Sequence, residues 1–380
     1  MAGYVFSLNN MESLHECIHK GVYGTILTNP KNNTWGIHHE ATFADYASMK
    51  AGDYVFFFIK RKIYGIGKLK NLNIDDGLDD CKFLNYPNAD KPIEPIVCEN
   101  NIFLDKEDIQ QRFICTFEPY PDFFKNGIDM DDALSSKPEC FKMLRAFWKV
   151  SFIKLDDDEA TCLFDVLLKK SHAISDTYPR NYLQVHDTIT AKLNNDFLLT
   201  SKNILRYASN GNSLKHEMAL EAGIIDQLSR GVENTIATFG NQNYISHQVV
   251  ASPFKAIDYM DKIDIFMYSC VQGFSTKDKY SVLELKKDKA KKEDIDQLLK
   301  YVDWIKDEYA GQDYSSINAY LVAYDFEDDI QDYMSNYGTR YFSIGRRPVI
   351  TDIWSNITLV KYRFDELTGE LFFTNETLPS

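Results

Sequence analysis

Paired cysteines are missing from this chain. Its seven cysteines stand at positions 17, 81, 98, 115, 140, 162 and 270, an odd number with no C-x-x-C pair. That scatter excludes a disulfide framework and a cysteine-built zinc site, and makes a reducing cytoplasm the default setting. Long apolar runs are missing too. None approaches the roughly 18 residues of a membrane span, and no basic-then-apolar leader opens the sequence. Positive charge is in deficit: 42 Lys and Arg stand against 56 Asp and Glu, a net charge of −14. This excludes a protein that coats nucleic acid without selectivity, because neutralising phosphates takes clustered basic side chains. It does not exclude an enzyme acting on nucleic acid. Carboxylates that hold a divalent cation count as negative, and a local basic patch survives a negative total.

What the chain does have is apolar and aromatic material. Of 380 residues 44% are hydrophobic, with 25 Phe and 23 Tyr, enough for two cores. The first block is read as residues 1–170. A strand at Tyr4–Leu8 precedes a helix from Met11 to His19. Runs at 52–59 and 63–69 form a hairpin joined through Lys60-Arg61-Lys62. Asn71 to Pro95, rich in Asp, Asn, Gly and Pro, is read as a loop. Strands return at Arg112–Phe117 and Ala146–Ile153, and the acidic run 156–159 suits a helix N-terminus. Residues 171–205, with weak periodicity and Pro179, are read as a linker. The second block, 206–380, alternates helix (213–230), strands (264–270 and 279–286), helix (293–309) and strand (317–325). The fold expected is a two-domain α+β and α/β chain.

The sharpest chemical signal is Ile263-Asp264-Ile-Phe-Met-Tyr268 followed, after a turn, by Tyr280-Ser-Val-Leu-Glu284-Leu285-Lys286. Strand side chains alternate, so Glu284 and Lys286 share a face, and Asp264 on a neighbouring strand can join them. Two close carboxylates repel unless a cation lies between them, and Mg²⁺, with Mn²⁺ as substitute, is the usual solution. A lysine one pleat away orients a water and stabilises charge on a phosphorane-like transition state. An exposed strand with alternating apolar and charged residues would carry the same E-x-K, so the flanking pattern matters. Upstream lies His216-Glu217-Met-Ala-Leu-Glu221, on a helix. Downstream, Asp294-Ile-Asp-Gln297-Leu-Leu-Lys-Tyr301 opens an amphipathic helix.

That order over residues 210–326 resembles the PD-(D/E)XK nuclease superfamily. The resemblance implies an α/β nuclease core in which Asp264, Glu284 and Lys286 are catalytic and Asp264 and Glu284 hold Mg²⁺. It implies that Gln297 positions the water or Lys286, and that Glu217, with Glu221 as the alternative, is the helix acid. Lys287 and Lys289, with Lys291 and Lys292, form a basic stretch beside the site and are candidate DNA contacts.

In the first block, Gly21-Val-Tyr23-Gly24-Thr25, then Trp35, then Met49-Lys-Ala-Gly52-Asp53-Tyr-Val-Phe-Phe-Phe58 and Tyr64-Gly-Ile-Gly67 resemble the PUA-like superfamily of EVE and YTH domains. The resemblance implies a small β-barrel with helices that holds a flipped, modified base against Tyr23, Thr25 and Trp35. Tyr23 stands where the family's cage segment has Trp. The pair His38-His39 invites a metal, but no third ligand stands at ligand spacing. Joining the halves, the two resemblances imply a modification-dependent restriction endonuclease. It would extrude a modified base of double-stranded DNA, a modified cytosine first of all, and cut nearby as a homodimer. Alternatives are a nuclease acting on RNA or on structured or mismatched DNA, and a reader that does not cut.

Overall fold

The structure is a computed structural model. It describes residues 1–27, 37–75, 77–86, 102, 111–120, 127–142, 152–171, 181–251 and 261–376. The chain divides into two compact units, Met1–Asn33 with Asp45–Asn203, and Thr34–Ala44 with Ile204–Ser380.

The first unit is built on strands β1 (Gly3–Ser7), β2 (Val22–Ile26), β3 (Tyr54–Ile59), β4 (Lys62–Leu69), β5 (Leu72–Asp75), β6 (Leu78–Asp80), β7 (Lys82–Leu84), β8 (Arg112–Tyr120), β9 (Ile128–Asp129) and β10 (Phe152–Leu155). Helix α1 (Met11–Lys20) separates β1 from β2, and α2 (Ile37–Ala47), whose residues 37–44 are counted with the second unit, precedes β3 in the chain. Helix α3 (Met130–Ser136) follows β9. Helices α4 (Asp157–Ser171) and α5 (Tyr182–Thr190) come after β10. The main sheet runs β10-β1-β3-β4-β8-β2, with β7 added on β8 and β9 on β4. Only β1 and β3 pair in parallel within it.

The mixed α/β character expected is seen, but the small β-barrel is not shown. Among the described residues no backbone pairing joins β2 to β10, the two ends of the sheet. The sheet instead curls until rings from its two ends meet. Tyr23 of β2 and Phe152 of β10 have centroids 5.8 Å apart, with Phe6 and Phe57 in the same cluster. The loop expected over 71–95 carries the short strands β5 to β7, and its residues 87–95 lie outside the described part.

Local chemistry accounts for the joints. The β3–β4 turn places Lys60 and Arg61 at φ 46° and 68°, the two-residue geometry whose twist suits a hairpin. Asp156 caps α4 by accepting from the backbone N–H groups of Asp158 and Glu159. In the segment read as a linker, α5 carries His186, whose Nε2 lies 2.9 Å from the carbonyl of Gly21. Gly21 ends α1 at φ 61°, and a Cβ there would come within 2.7 Å of His186 and of the Phe117 carbonyl. Only glycine fits.

The second unit takes α6 (Ser201–Ala208) from Ile204 onward, then a small pair β11 (Ser209–Asn210) and β12 (Ser213–Leu214). Helices α7 (Glu217–Arg230) and α8 (Glu233–Phe239) follow, then strands β13 (Tyr244–Val250), β14 (Lys262–Cys270) and β15 (Lys277–Ala290). Next come α9 (Lys292–Glu308), β16 (Ile317–Phe326) and α10 (Ile330–Tyr337). The chain continues with β17 (Arg340–Arg346), β18 (Val349–Trp354), β19 (Ile357–Asp365) and β20 (Glu370–Asn375). The sheet runs β13-β14-β15-β16-β19-β20, with β15, β16 and β19 parallel and the other pairs antiparallel.

Central strand β15 is buried from Tyr280 to Glu284 and at Leu285, as a strand covered on both faces must be. Helix α7 is buried from Ala219 to Leu228 and packs on β15 and β20. The last two sheet strands lie in the segment 327–380, for which no element was expected. The β17–β18 hairpin lies outside the main sheet and exposes Tyr341, Ile344, Val349, Ile350 and Ile353. Among the described residues no helix is long and apolar enough to cross a membrane.

Candidate active site

Antiparallel pairing sets Ile265 opposite Leu283, which brings Asp264, one residue earlier on β14, level with Glu284 and Leu285 of β15. Asp264 Oδ2 accepts from the Leu285 backbone N–H at 2.8 Å. Glu284 is 1% exposed. Its Oε1 accepts from Lys286 Nζ, while its Oε2 is buried without a hydrogen-bond partner. Lys286 also lies 3.7 Å from Asp294 Oδ1, in the first turn of α9. Thus Asp264, Glu284 and Lys286, expected to act together, do converge.

Burial and mutual repulsion dominate the electrostatics. Burial first, then the charges of Glu284 and Glu221, raise the Asp264 carboxyl well above its usual range. Burial pushes Glu284 up to about 7, against the opposing pull of Lys286. Burial alone would lower the Lys286 ammonium, but Glu284, Asp294 and Glu217 outweigh it and the lysine is held more firmly protonated than usual. In this arrangement Lys286 is a cation rather than a base.

The remaining expected residues divide. Gln297 on α9 donates to the hydroxyl of Tyr301 at 2.8 Å, and the negative charges of Glu284 and Asp264 act on Tyr301. Glu217, the first residue of α7, is exposed, although its charge reaches Glu284 and Lys286. Glu221, the alternative, is 2% exposed and tied to the site. Its Oε1 accepts from Gln248 Nε2 at 2.9 Å, and its Oε2 lies 3.3 Å from His247 Nδ1. Gln248 Nε2 also lies 3.5 Å from Asp264 Oδ1. Lys287 and Lys289 are half exposed and paired with Asp288 and Asp328.

Neither His247 nor Gln248 was visible as a site residue in the sequence, because the strand that carries them was not. Gln248 adopts φ 52°, a left-handed conformation that costs a non-glycine residue about 1–2 kcal/mol.

In the first unit, Tyr23 is 7% exposed and its ring stacks on Phe6 at 4.2 Å between centroids. One face of Tyr23 is therefore occupied by the core. Thr25 Oγ1 lies 3.4 Å from the Tyr46 hydroxyl. Trp35 lies outside the described residues. His38 and His39 open α2; His39 is buried, and burial lowers its pKa to about 4.

Among the described residues no three His, Cys, Asp or Glu side chains are already gathered as a metal cage. The donor set nevertheless suits an oxygen-seeking divalent cation. Asp264 is half-buried and Glu284 buried, and one oxygen of Glu284 has no hydrogen-bond partner among the described residues.

No known family and no curated protein matches the chain. The solved structures to which it is similar include two endonucleases. One is the crystal structure of a repair endonuclease from Pyrococcus abyssi, with 20% identity and TM-score 0.21 over 35% of this chain and 47% of that one. The other is an EndoMS complex with double-stranded DNA, with 12% identity and TM-score 0.20 over 61% of this chain and 54% of that one. The chain thus spans about half the length of each. The functional reading rests on the site itself.

Proposed function

We propose that the protein is a DNA endonuclease that hydrolyses a phosphodiester bond in its second unit and selects duplexes bearing a modified base through its first. The observation that carries the hydrolytic reading is the buried Glu284 Oε2, unpartnered among the described residues, beside the half-buried Asp264 and the cationic Lys286. Burying two carboxylates together is unfavourable unless a cation compensates them. A fold that keeps such a pair gains a metal site by it.

Asp264 and Glu284 are the residues that would hold Mg²⁺. Once bound, Mg²⁺ supplies charge neutralisation at the phosphate and an acidified water. Lys286, protonated, orients that water and offsets charge on the phosphoryl oxygens in the transition state. Glu221, held by Gln248 and His247, adds a third carboxylate beside Asp264. Tyr301 and Gln297 border the same charges from α9.

Selection of a modified base, a modified cytosine first of all, is supported by the sequence resemblance of the first unit. An extruded base is read by stacking and edge contacts. Cutting both strands of a duplex calls for two copies of the site, hence a homodimer.

The test incubates the full chain and Mg²⁺ with matched unmodified, methylated and hydroxymethylated duplexes and with RNA. The expected result is cleavage of a modified duplex alone, stopped by EDTA and restored by Mg²⁺ or Mn²⁺. Cleavage that persists in chelator overturns the metal mechanism. Equal cleavage of all duplexes overturns the selectivity, and cleavage of RNA alone overturns the choice of DNA.

A further inference from the structure

Consecutive residues of a regular strand point to opposite faces. His247 and Gln248 are consecutive on β13, yet both reach the carboxylate of Glu221, at 3.3 and 2.9 Å. The backbone explains how. Gln248 sits at φ 52°, and the register of β13 on β14 pairs His247 with Ile265 and Val249 with Ile263, while the position between them, Gln248 opposite Asp264, makes no ladder pair. That single left-handed residue breaks the alternation and turns the Gln248 carboxamide towards the site. Its Nε2 then reaches Glu221 Oε1 from one side and Asp264 Oδ1, at 3.5 Å, from the other. Asp264 is held on its second oxygen by the Leu285 backbone N–H. Glu221 is 2% exposed and Glu284 1%, so water gives little help in separating these acids.

We infer that Gln248 is a positioning residue that fixes the relative placement of Glu221 and Asp264 for a divalent cation. The inference rests on the nuclease reading above. An amide is suited to this task. It donates to carboxylates without adding a charge, so it draws two acids together where a lysine would replace the cation and an aspartate would add to the repulsion. The left-handed backbone is the structural means of delivering it, and a strained conformation that persists beside a buried charge cluster is where a functional constraint is to be looked for. The cation would be a hard ion, Mg²⁺ or Mn²⁺, because every side-chain oxygen that Gln248 touches is a carboxylate.

The test measures binding of Mn²⁺ alone to the full-length protein by electron paramagnetic resonance, with no nucleic acid present. Gln248→Gly removes the carboxamide and is at ease at φ 52°, so its thermal melting should match or exceed the parent's. Gln248→Asn tolerates the same backbone but is one methylene short of spanning both acids. Both variants are expected to weaken Mn²⁺ binding by roughly 10- to 100-fold, the usual effect of removing a partner that orients a ligand. In cleavage, kcat should fall while KM for the duplex moves little. Asp264→Ala serves as the control that abolishes Mn²⁺ binding. If the parent binds Mn²⁺ and Gln248→Gly binds within twofold of it, the positioning role is overturned and the nuclease reading stands. If the parent binds no Mn²⁺, both fall together. A melting loss in Gln248→Gly with unchanged Mn²⁺ affinity assigns the glutamine to the fold alone.

Discussion

Glu284 is the residue at which stability and chemistry oppose each other. Its ordinary pKa is 4.5, and in the fold burial raises it to about 7. A carboxyl whose folded pKa is raised contributes stability that is complete below about pH 4.5 and is lost as pH climbs through 7. Without a cation, this site therefore weakens the protein between pH 6 and pH 8. A bound divalent cation competes with the proton for the same oxygens, so its stabilising effect should run the other way. The melting temperature rise on adding Mg²⁺ is expected to be larger at pH 8 than at pH 6. Glu284→Gln removes the buried charge and keeps the shape. It should melt no lower than the parent at pH 8 without metal, lose the Mg²⁺-dependent rise, and cut at least about a thousandfold more slowly. A fall in melting temperature with cleavage retained would make Glu284 a structural acid and sink the site assignment.

At the scale of elements, the strands that carry the acids were legible and those that orient and close the site were not. β14 and β15 announce themselves as apolar, β-branched and aromatic runs interrupted by Asp264 and Glu284. β13 does not, because His247-Gln248 places two polar residues together where alternation calls for one, and the left-handed turn at Gln248 has no signature short of Gly or Asn. Periodicity also failed to choose between Glu217 and Glu221. Helix α7 is buried nearly all round from Ala219 onward, so it has no apolar stripe to fix its phase.

Strands β19 and β20, an antiparallel hairpin at the edge of the sheet, lie in the segment that was given no elements from sequence. Gln227 of α7 shows how β20 is tied in. Its amide donates to the Leu371 carbonyl at 2.9 Å and to Thr235 Oγ1 at 2.8 Å, and its carbonyl accepts from the Leu371 N–H at 2.7 Å. Gln227→Leu would leave both main-chain groups of a buried residue unpaired, each costing about 1–3 kcal/mol. Urea unfolding of the second unit should show a loss of about 2–5 kcal/mol. A loss below about 0.5 kcal/mol would mean that β20 is held by its ladder with β19 alone.

The whole molecule carries 14 more negative than positive charges, so under the proposed function baseline affinity for any duplex would be low and discrimination would fall to stacking. Of the two aromatic residues grouped for this task, the structure describes Tyr23. Tyr23 is enclosed by Phe6, Phe57 and Phe152, so Tyr23→Ala opens a hole in the aromatic core at about 3–5 kcal/mol. Melting should fall, and binding to modified and unmodified duplexes should decline alike. Under the proposed function, selective stacking would then fall to Trp35, which lies outside the described residues. A stacked base is worth about 1–3 kcal/mol on truncation, and each 1.4 kcal/mol is about tenfold in affinity. In the inactive Glu284→Gln background, Trp35→Ala should therefore weaken binding to a modified duplex by roughly 5- to 150-fold. Binding to its unmodified twin, which rests on phosphate contacts, should stay put, with the same salt slope and the same melting temperature. If Trp35→Ala instead lowers both affinities equally, or lowers neither, the first unit does not read the base by stacking on this ring, and selectivity must be sought in another group of the chain.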